Sequence, residues 1–184
     1  NTSVQFDGVN DFVNLGNSSN LQITSEITIS AWIKLNSDYT NIQPIIGNYE
    51  DIVSDKSNYG LEFGRTDNKF SFLANSATIS ATSTGTISND NWHHIVAIRS
   101  GVSSNWNISF YIDGNFDSTT ASASNPDGGT RPTSIGKYGN LNGYMFNGSI
   151  DEVMIYNTSL TASEVLALYN NQTSRFYPTG TMNW

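Results

Sequence analysis

Apolar positions in this chain recur mainly at every second residue. Ile27, Ile29, Ala31, Ile33 and Leu35 alternate with Thr28, Ser30, Trp32 and Lys34, the spacing of a β-strand with one face on a core. Trp32 interrupts the polar side and predicts a second layer or a binding surface there. Similar short runs follow at Tyr59–Phe63, Lys69–Leu73, Trp92–Ile98, Ile108–Ile112 and Ser149–Tyr156. Clusters of Asp, Asn, Gly and Ser separate them and read as turns. Asp113-Gly114, placed just after an alternating run, predicts a hairpin. Many short strands with scarcely any helix argue for an all-β sandwich or barrel.

One segment changes to helical spacing. Thr161-Ala162-Ser163-Glu164 has the form of a capping box, with Leu160 and Val165 at the two positions of a hydrophobic staple. Leu166, Leu168 and Tyr169 continue the stripe, which predicts a short helix ending near Asn170-Asn171. The following tail, with Pro178 and Gly180, reads as extended and packed only in part. No long linker, charge run or internal repeat divides the chain. One domain over 1–184 is expected, with a core at about 3–171 and a tail at 172–184.

Composition narrows the function classes. The 184 residues carry 8 Lys and Arg against 16 Asp and Glu, a net charge of −8. A nucleic-acid binder needs a basic stripe, so that class is excluded. Only 13% of residues are charged, whereas 24 Asn, 25 Ser and 18 Thr supply a surface of amides and hydroxyls. With 37% hydrophobic residues, a chain of this length can still bury a substantial core. It has no cysteine, hence no disulfide, thiol nucleophile or thiolate metal site. No run approaches the roughly 20 apolar residues that span a bilayer. The sequence starts at Asn1 without a leader-like segment, and a piece of a larger multidomain protein is expected. Asn-x-Ser/Thr sequons begin at Asn1, Asn17, Asn107, Asn147, Asn157 and Asn171, although a chain this rich in those residues produces several by composition alone.

Three stretches in order carry a family resemblance. The first is Val4-Gln5-Phe6-Asp7-Gly8-Val9-Asn10-Asp11-Phe12-Val13. The second joins Ile27–Ile33 to Trp92-His93-His94-Ile95-Val96-Ala97 and Tyr111-Ile112-Asp113-Gly114. The third is Phe146-Asn147-Gly148-Ser149-Ile150-Asp151-Glu152-Val153 with the capped helix. Together they resemble the laminin G-like, or concanavalin A-like, superfamily in its pentraxin-related branch, over roughly residues 3–171. The resemblance implies a two-sheet antiparallel jelly-roll sandwich, and a secreted or cell-surface setting.

Asp7, Asn10 and Asp11 place two carboxylates and an amide on one turn, where a hard cation taking six to eight oxygens can be wrapped. The alternative is that they are turn carboxylates bonded to backbone amides. The resemblance implies a structural calcium (Ca2+) held by Asp7, Asp11 and Asp151. His93 and His94 are adjacent on a strand and so point to opposite faces, which favours a framework role over a shared metal or a catalytic couple. A retaining glycosidase needs two carboxylates about 5 Å apart, and Asp151-Glu152, being adjacent, is expected to split between faces. A lyase drafted from His93 or His94 with Arg99 has nothing to gather it into one pocket. No enzyme is therefore expected.

Sugar sites combine an aromatic ring with amide, carboxylate and guanidinium side chains. Tyr49, Arg65, Arg131, Tyr138 and Tyr144 are the candidate ligand residues if their loops meet at one rim. The reading is a calcium-stabilised carbohydrate-binding and adhesion module whose partner is a glycan or glycoprotein. The alternatives are a protein-binding or spacer module of a matrix protein, and an accessory domain of a polysaccharide-degrading enzyme.

Overall fold

A computed structural model describes residues 3–36, 41–49, 57–64, 68–75, 79–138 and 144–177. The alternating runs become two six-stranded antiparallel sheets, a jelly-roll sandwich. The first sheet contains β1 (Val4–Asp7), β3 (Ile27–Leu35), β8 (Trp92–Val102), β9 (Asn105–Ile112), β10 (Asn115–Ser122) and β12 (Asn147–Tyr156). Its spatial order is β1-β12-β3-β8-β9-β10. The second contains β2 (Val13–Gly16), β4 (Gln43–Tyr49), β5 (Ser57–Phe63), β6 (Phe70–Leu73), β7 (Ile79–Thr82) and β11 (Thr133–Ile135). Its order is β2-β11-β4-β5-β6-β7.

The strand period sorts side chains between core and outer face. Ile27, Ile29, Ala31, Ile33 and Leu35 of β3 are buried against Tyr59, Leu61 and Phe72 of the other sheet. The Asp113-Gly114 hairpin forms as predicted. Both residues have positive φ, 50° and 75°, the requirement of a two-residue primed turn. A Cβ on Gly114 would also fall 2.9 Å from the Tyr169 ring.

The helix α1 spans Ala162–Phe176 and carries the predicted capping box. Thr161 N–H donates to Glu164 Oε2 at 2.7 Å, and both Thr161 hydrogen bonds hold the Glu164 carboxyl below its usual value. Val165 is fully buried with Leu160 against it, as a staple requires. The helix runs five residues beyond the predicted stop. Asn170 and Asn171 are weak helix formers, but Gln172 and Phe176 beyond them are buried, and that burial outweighs propensity.

The second layer anticipated at Trp32 is this helix. Trp32 is fully buried, stacks on Phe176 with ring centres 4.1 Å apart, and donates its indole N–H to Gln172 Oε1 at 2.8 Å. His93 and His94 do take opposite faces. His94 lies buried beneath α1, with Nε2 2.8 Å from Ser30 Oγ and its ring 5.3 Å from that of Trp32.

Candidate functional site

The N-terminal corner joins the two sheets and holds the first acidic cluster. β1 pairs with β12, placing Asp7 opposite Asn147. The chain then turns through residues 8–12 into β2. Asp7 Oδ1 accepts the backbone amides of Val9 at 2.7 Å and Asn10 at 3.2 Å. Asp11 Oδ2 accepts the Asp7 amide at 3.1 Å. These donors, Val9 first, hold the Asp7 carboxyl below its ordinary value, so it is ionised well into the acid range. The sequence left open whether these carboxylates bond backbone amides or face a cation. Both carboxylates do the former.

A cleft of about 430 Å³ opens beside this turn, lined by Gln5, Phe6, Asp7, Asp11, Asn36, Gly148 and Ser149. Asn36 follows the end of β3, and its Nδ2 donates to Asn147 Oδ1 at 2.6 Å. Gly148 is required here. Its φ is +149°, and a Cβ would lie 2.1 Å from the Lys34 carbonyl oxygen, so any side chain would force β12 away from β3. The exposed apolar residues Val9 and Phe12 flank the same turn, and Lys137 Nζ stands 4.5 Å from the Phe12 ring centre. The cleft thus offers two carboxylates, two amides and a hydroxyl. All can accept hydrogen bonds, and the amides and hydroxyl also donate.

Asp151 is not part of this corner. Ile150 pairs with Val4, so Asp151 stands at the opposite end of β1 from Asp7, four strand positions or roughly 13 Å along β12. Its Oδ2 faces Arg175 Nη2 at 3.3 Å, and Arg175 Nη1 pairs with Glu152. The expectation that Asp151 and Glu152 split between faces fails for a local reason. β12 bulges between Asp151 and Met154, and Glu152 takes a φ of +48°, which lets both carboxylates reach one arginine of α1. Among the described residues, no three His, Asp or Glu side chains gather in a way that could hold a metal ion.

Of the expected rim residues, Arg131 and Tyr138 are buried. Arg131 pairs with Asp127 through both guanidinium nitrogens, while its amide donates to Gln22 Oε1 at 3.0 Å. Tyr138 is buried against Leu73. Half-buried Tyr144 meets the Tyr138 ring edge-on, with centres 6.1 Å apart. Tyr49 closes β4, and its side chain lies outside the described residues, as does the whole of Arg65. Gln5, Asn36 and Ser149 escape a reading of sequence because strand pairing across 100 or more residues brings them together, and none belongs to a local motif.

Arg99, considered above for a lyase, is structural. It is fully buried, donating to Ser25 O at 2.6 Å, Asn58 O at 2.7 Å and Ile23 O at 3.3 Å. Its guanidinium carbon lies 5.2 Å from the Trp106 ring centre. Burial lowers its pKa to about 10, so it stays charged at neutral pH and ties β8 to the facing sheet.

Two antiparallel six-stranded sheets with helix α1 over one outer face form a jelly-roll sandwich. A family model described as the concanavalin A-like lectin/glucanases superfamily matches residues 7–166. The chain belongs to that superfamily. A heptameric pentraxin from Limulus polyphemus is similar in structure (TM-score 0.69, 16% identity, 91% of this chain and 81% of that one). So is a sialidase from Trypanosoma rangeli (TM-score 0.68, 16% identity), aligned over 93% of this chain. This chain spans 27% of that sialidase's length. Domain 4 of an extracellular arabinanase from Geobacillus stearothermophilus, in complex with arabinotriose, aligns at 19% identity with a TM-score of 0.66, over 91% of this chain and 76% of that one. A search of curated protein sequences finds no match.

Proposed function

We propose that this chain is a glycan-recognition module of a secreted or surface-exposed, larger protein, acting in adhesion or targeting. The observation that carries the reading is the polar cleft lined by Gln5, Asp7, Asp11, Asn36 and Ser149 on a lectin-like sandwich. Amides and carboxylates at a turn suit vicinal sugar hydroxyls, which donate and accept at short spacing. The similar arabinanase domain, seen with arabinotriose, supports the same ligand class.

Calcium belongs to this proposal in a reduced form. The donors at the cleft are all oxygen, which suits a hard cation, and Asp7 and Asp11 are the residues that would hold it. Asp151 serves the helix instead. A bound ion would supply fixed positive charge at the turn. The chain itself orients both carboxylates through the Val9, Asn10 and Asp7 amides.

A glycan array with folded protein, in calcium and again in EDTA, tests the reading. Binding to one glycan class that Asn36→Ala or Gln5→Ala weakens by about tenfold, the worth of one or two hydrogen bonds, is the expected result. A blank array in both conditions overturns it in favour of a protein-contact module. One observation favours that second reading: Val4, Val9, Phe12 and Leu15 are all exposed apolar residues on the same N-terminal stretch, and such groupings mark contact surfaces.

A further inference from the structure

His94 is spent on the packing beneath α1, but its neighbour His93 is not. The His93 ring lies at the margin of β8, between two separate turns. Its Nδ1 is 2.8 Å from Asp113 Oδ2, and its Nε2 is 2.9 Å from Ser88 Oγ. The hairpin turn fixes Asp113, whose other oxygen accepts the His94 amide at 2.9 Å. A carboxylate at Nδ1 places the ring proton there and leaves Nε2 to accept the Ser88 hydroxyl proton. Ser88 is exposed and stands before a tight turn in which Asp90 has a φ of +62° and donates its amide to Leu35 O at 2.8 Å. Asn91 Nδ2 lies 3.1 Å from Ser88 Oγ and puts a neutral N–H donor beside the hydroxyl.

We propose that Ser88, His93 and Asp113 form a nucleophilic triad that takes acyl groups from small esters arriving from solvent. Ser88 Oγ attacks the ester carbonyl carbon while His93 Nε2 accepts the hydroxyl proton. The carbon–oxygen bond to the alcohol breaks, and the alcohol leaves with that proton. Water then attacks the acyl-serine and gives a proton to Nε2. The carboxylic acid departs, and the proton returns to Ser88. Asp113 orients the ring through Nδ1, and Asn91 Nδ2, which also donates to Asn89 O at 3.3 Å, holds the Ser88 hydroxyl in place. Ser88 projects from an open turn, so the substrate class is a short, unhindered acyl ester such as an acetyl ester. This activity is separate from glycan recognition at the N-terminal corner and does not depend on it.

The test uses the full chain with a fluorophosphonate probe, read by intact mass and peptide mapping, and with p-nitrophenyl acetate. One adduct on Ser88 is expected, absent in Ser88→Ala. Labelling should slow roughly a hundredfold in His93→Gln, as loss of a general base implies. Ser88→Ala removes an exposed hydroxyl bonded to His93 and Asn91 and leaves Asp113 in the hairpin, so it reports on chemistry even if Asp113→Asn disturbs the turn. It should leave array binding unchanged. No adduct, an adduct on another residue, or Ser88 labelling indifferent to His93→Gln overturns the proposal.

Discussion

Arg99 sits in the interior without a carboxylate partner among the described residues, held by backbone carbonyls from Ser25, Asn58 and Ile23. Its charge is spread over a planar group that aromatic faces also accept, which makes a buried cation tolerable. Replacing it by Leu would leave those carbonyls buried without donors, at a cost on the order of 3 kcal/mol. Chemical denaturation of Arg99→Leu measures this, and a loss below about 1 kcal/mol would refute the role. His94 contributes in the other direction. Burial pushes its pKa to about 4, against a smaller opposing pull from Asp113, and its Nδ1 has no hydrogen-bond partner among the described residues. The ring is therefore neutral in the folded protein at neutral pH. Between pH 6.5 and about 4 the unfolded chain binds a proton that the folded one refuses, so stability falls as pH drops through that window, by roughly 3 kcal/mol. His94→Gln should flatten the stability profile between those limits in urea melts at stepped pH.

At the scale of elements, α1 is held by what it covers. Trp32 stacks on Phe176 and Tyr169, bonds Gln172, and Arg175 reaches the carboxylates of the β12 bulge. Phe176→Ala should cost about 3–4 kcal/mol, the usual penalty for truncating a buried aromatic. Leu166→Ala, on the exposed side of the same helix, should change stability by less than about 0.5 kcal/mol. Denaturant titration of the pair separates packing from helix propensity. The start of this helix was legible in sequence, because Thr161, Glu164, Leu160 and Val165 are local signals within six residues. Its end was not, because it depends on Trp32, 140 positions away from Gln172. The strands of β3, β8 and β9 were legible for the same local reason, and Asp113-Gly114 announced its own turn. The bulge at Glu152 was hidden: nothing in Ile-Asp-Glu-Val marks a residue that must take positive φ, and so the joint capture of Arg175 by two adjacent carboxylates was out of reach. The cleft fared likewise, since only the Asp7 and Asp11 side of it is a local motif.

For the whole molecule, the separation of Asp151 from Asp7 makes the calcium question a matter of which end of β1 responds. If the 7–11 turn holds the ion, folded protein binds it and unfolded chain does not, so the melting temperature rises with calcium concentration by mass action. A hundredfold excess over the dissociation constant adds about 2.7 kcal/mol, which in a domain of this size corresponds to roughly 5–10 °C. Asp11→Asn should abolish most of that increment. Asp151→Asn should instead lower the melting temperature equally with and without calcium, because it loosens Arg175 and the end of α1 while leaving the turn intact. Thermal melts of wild type and both variants, each in calcium and in EDTA, distinguish the two ends. A wild-type protein indifferent to both conditions would remove calcium from the turn, and the cleft would then have to recognise its ligand with side chains alone. A calcium response lost in Asp151→Asn but kept in Asp11→Asn would mean that the ion sits by the β12 bulge and competes with Arg175. The helix would then be the element that metal binding releases.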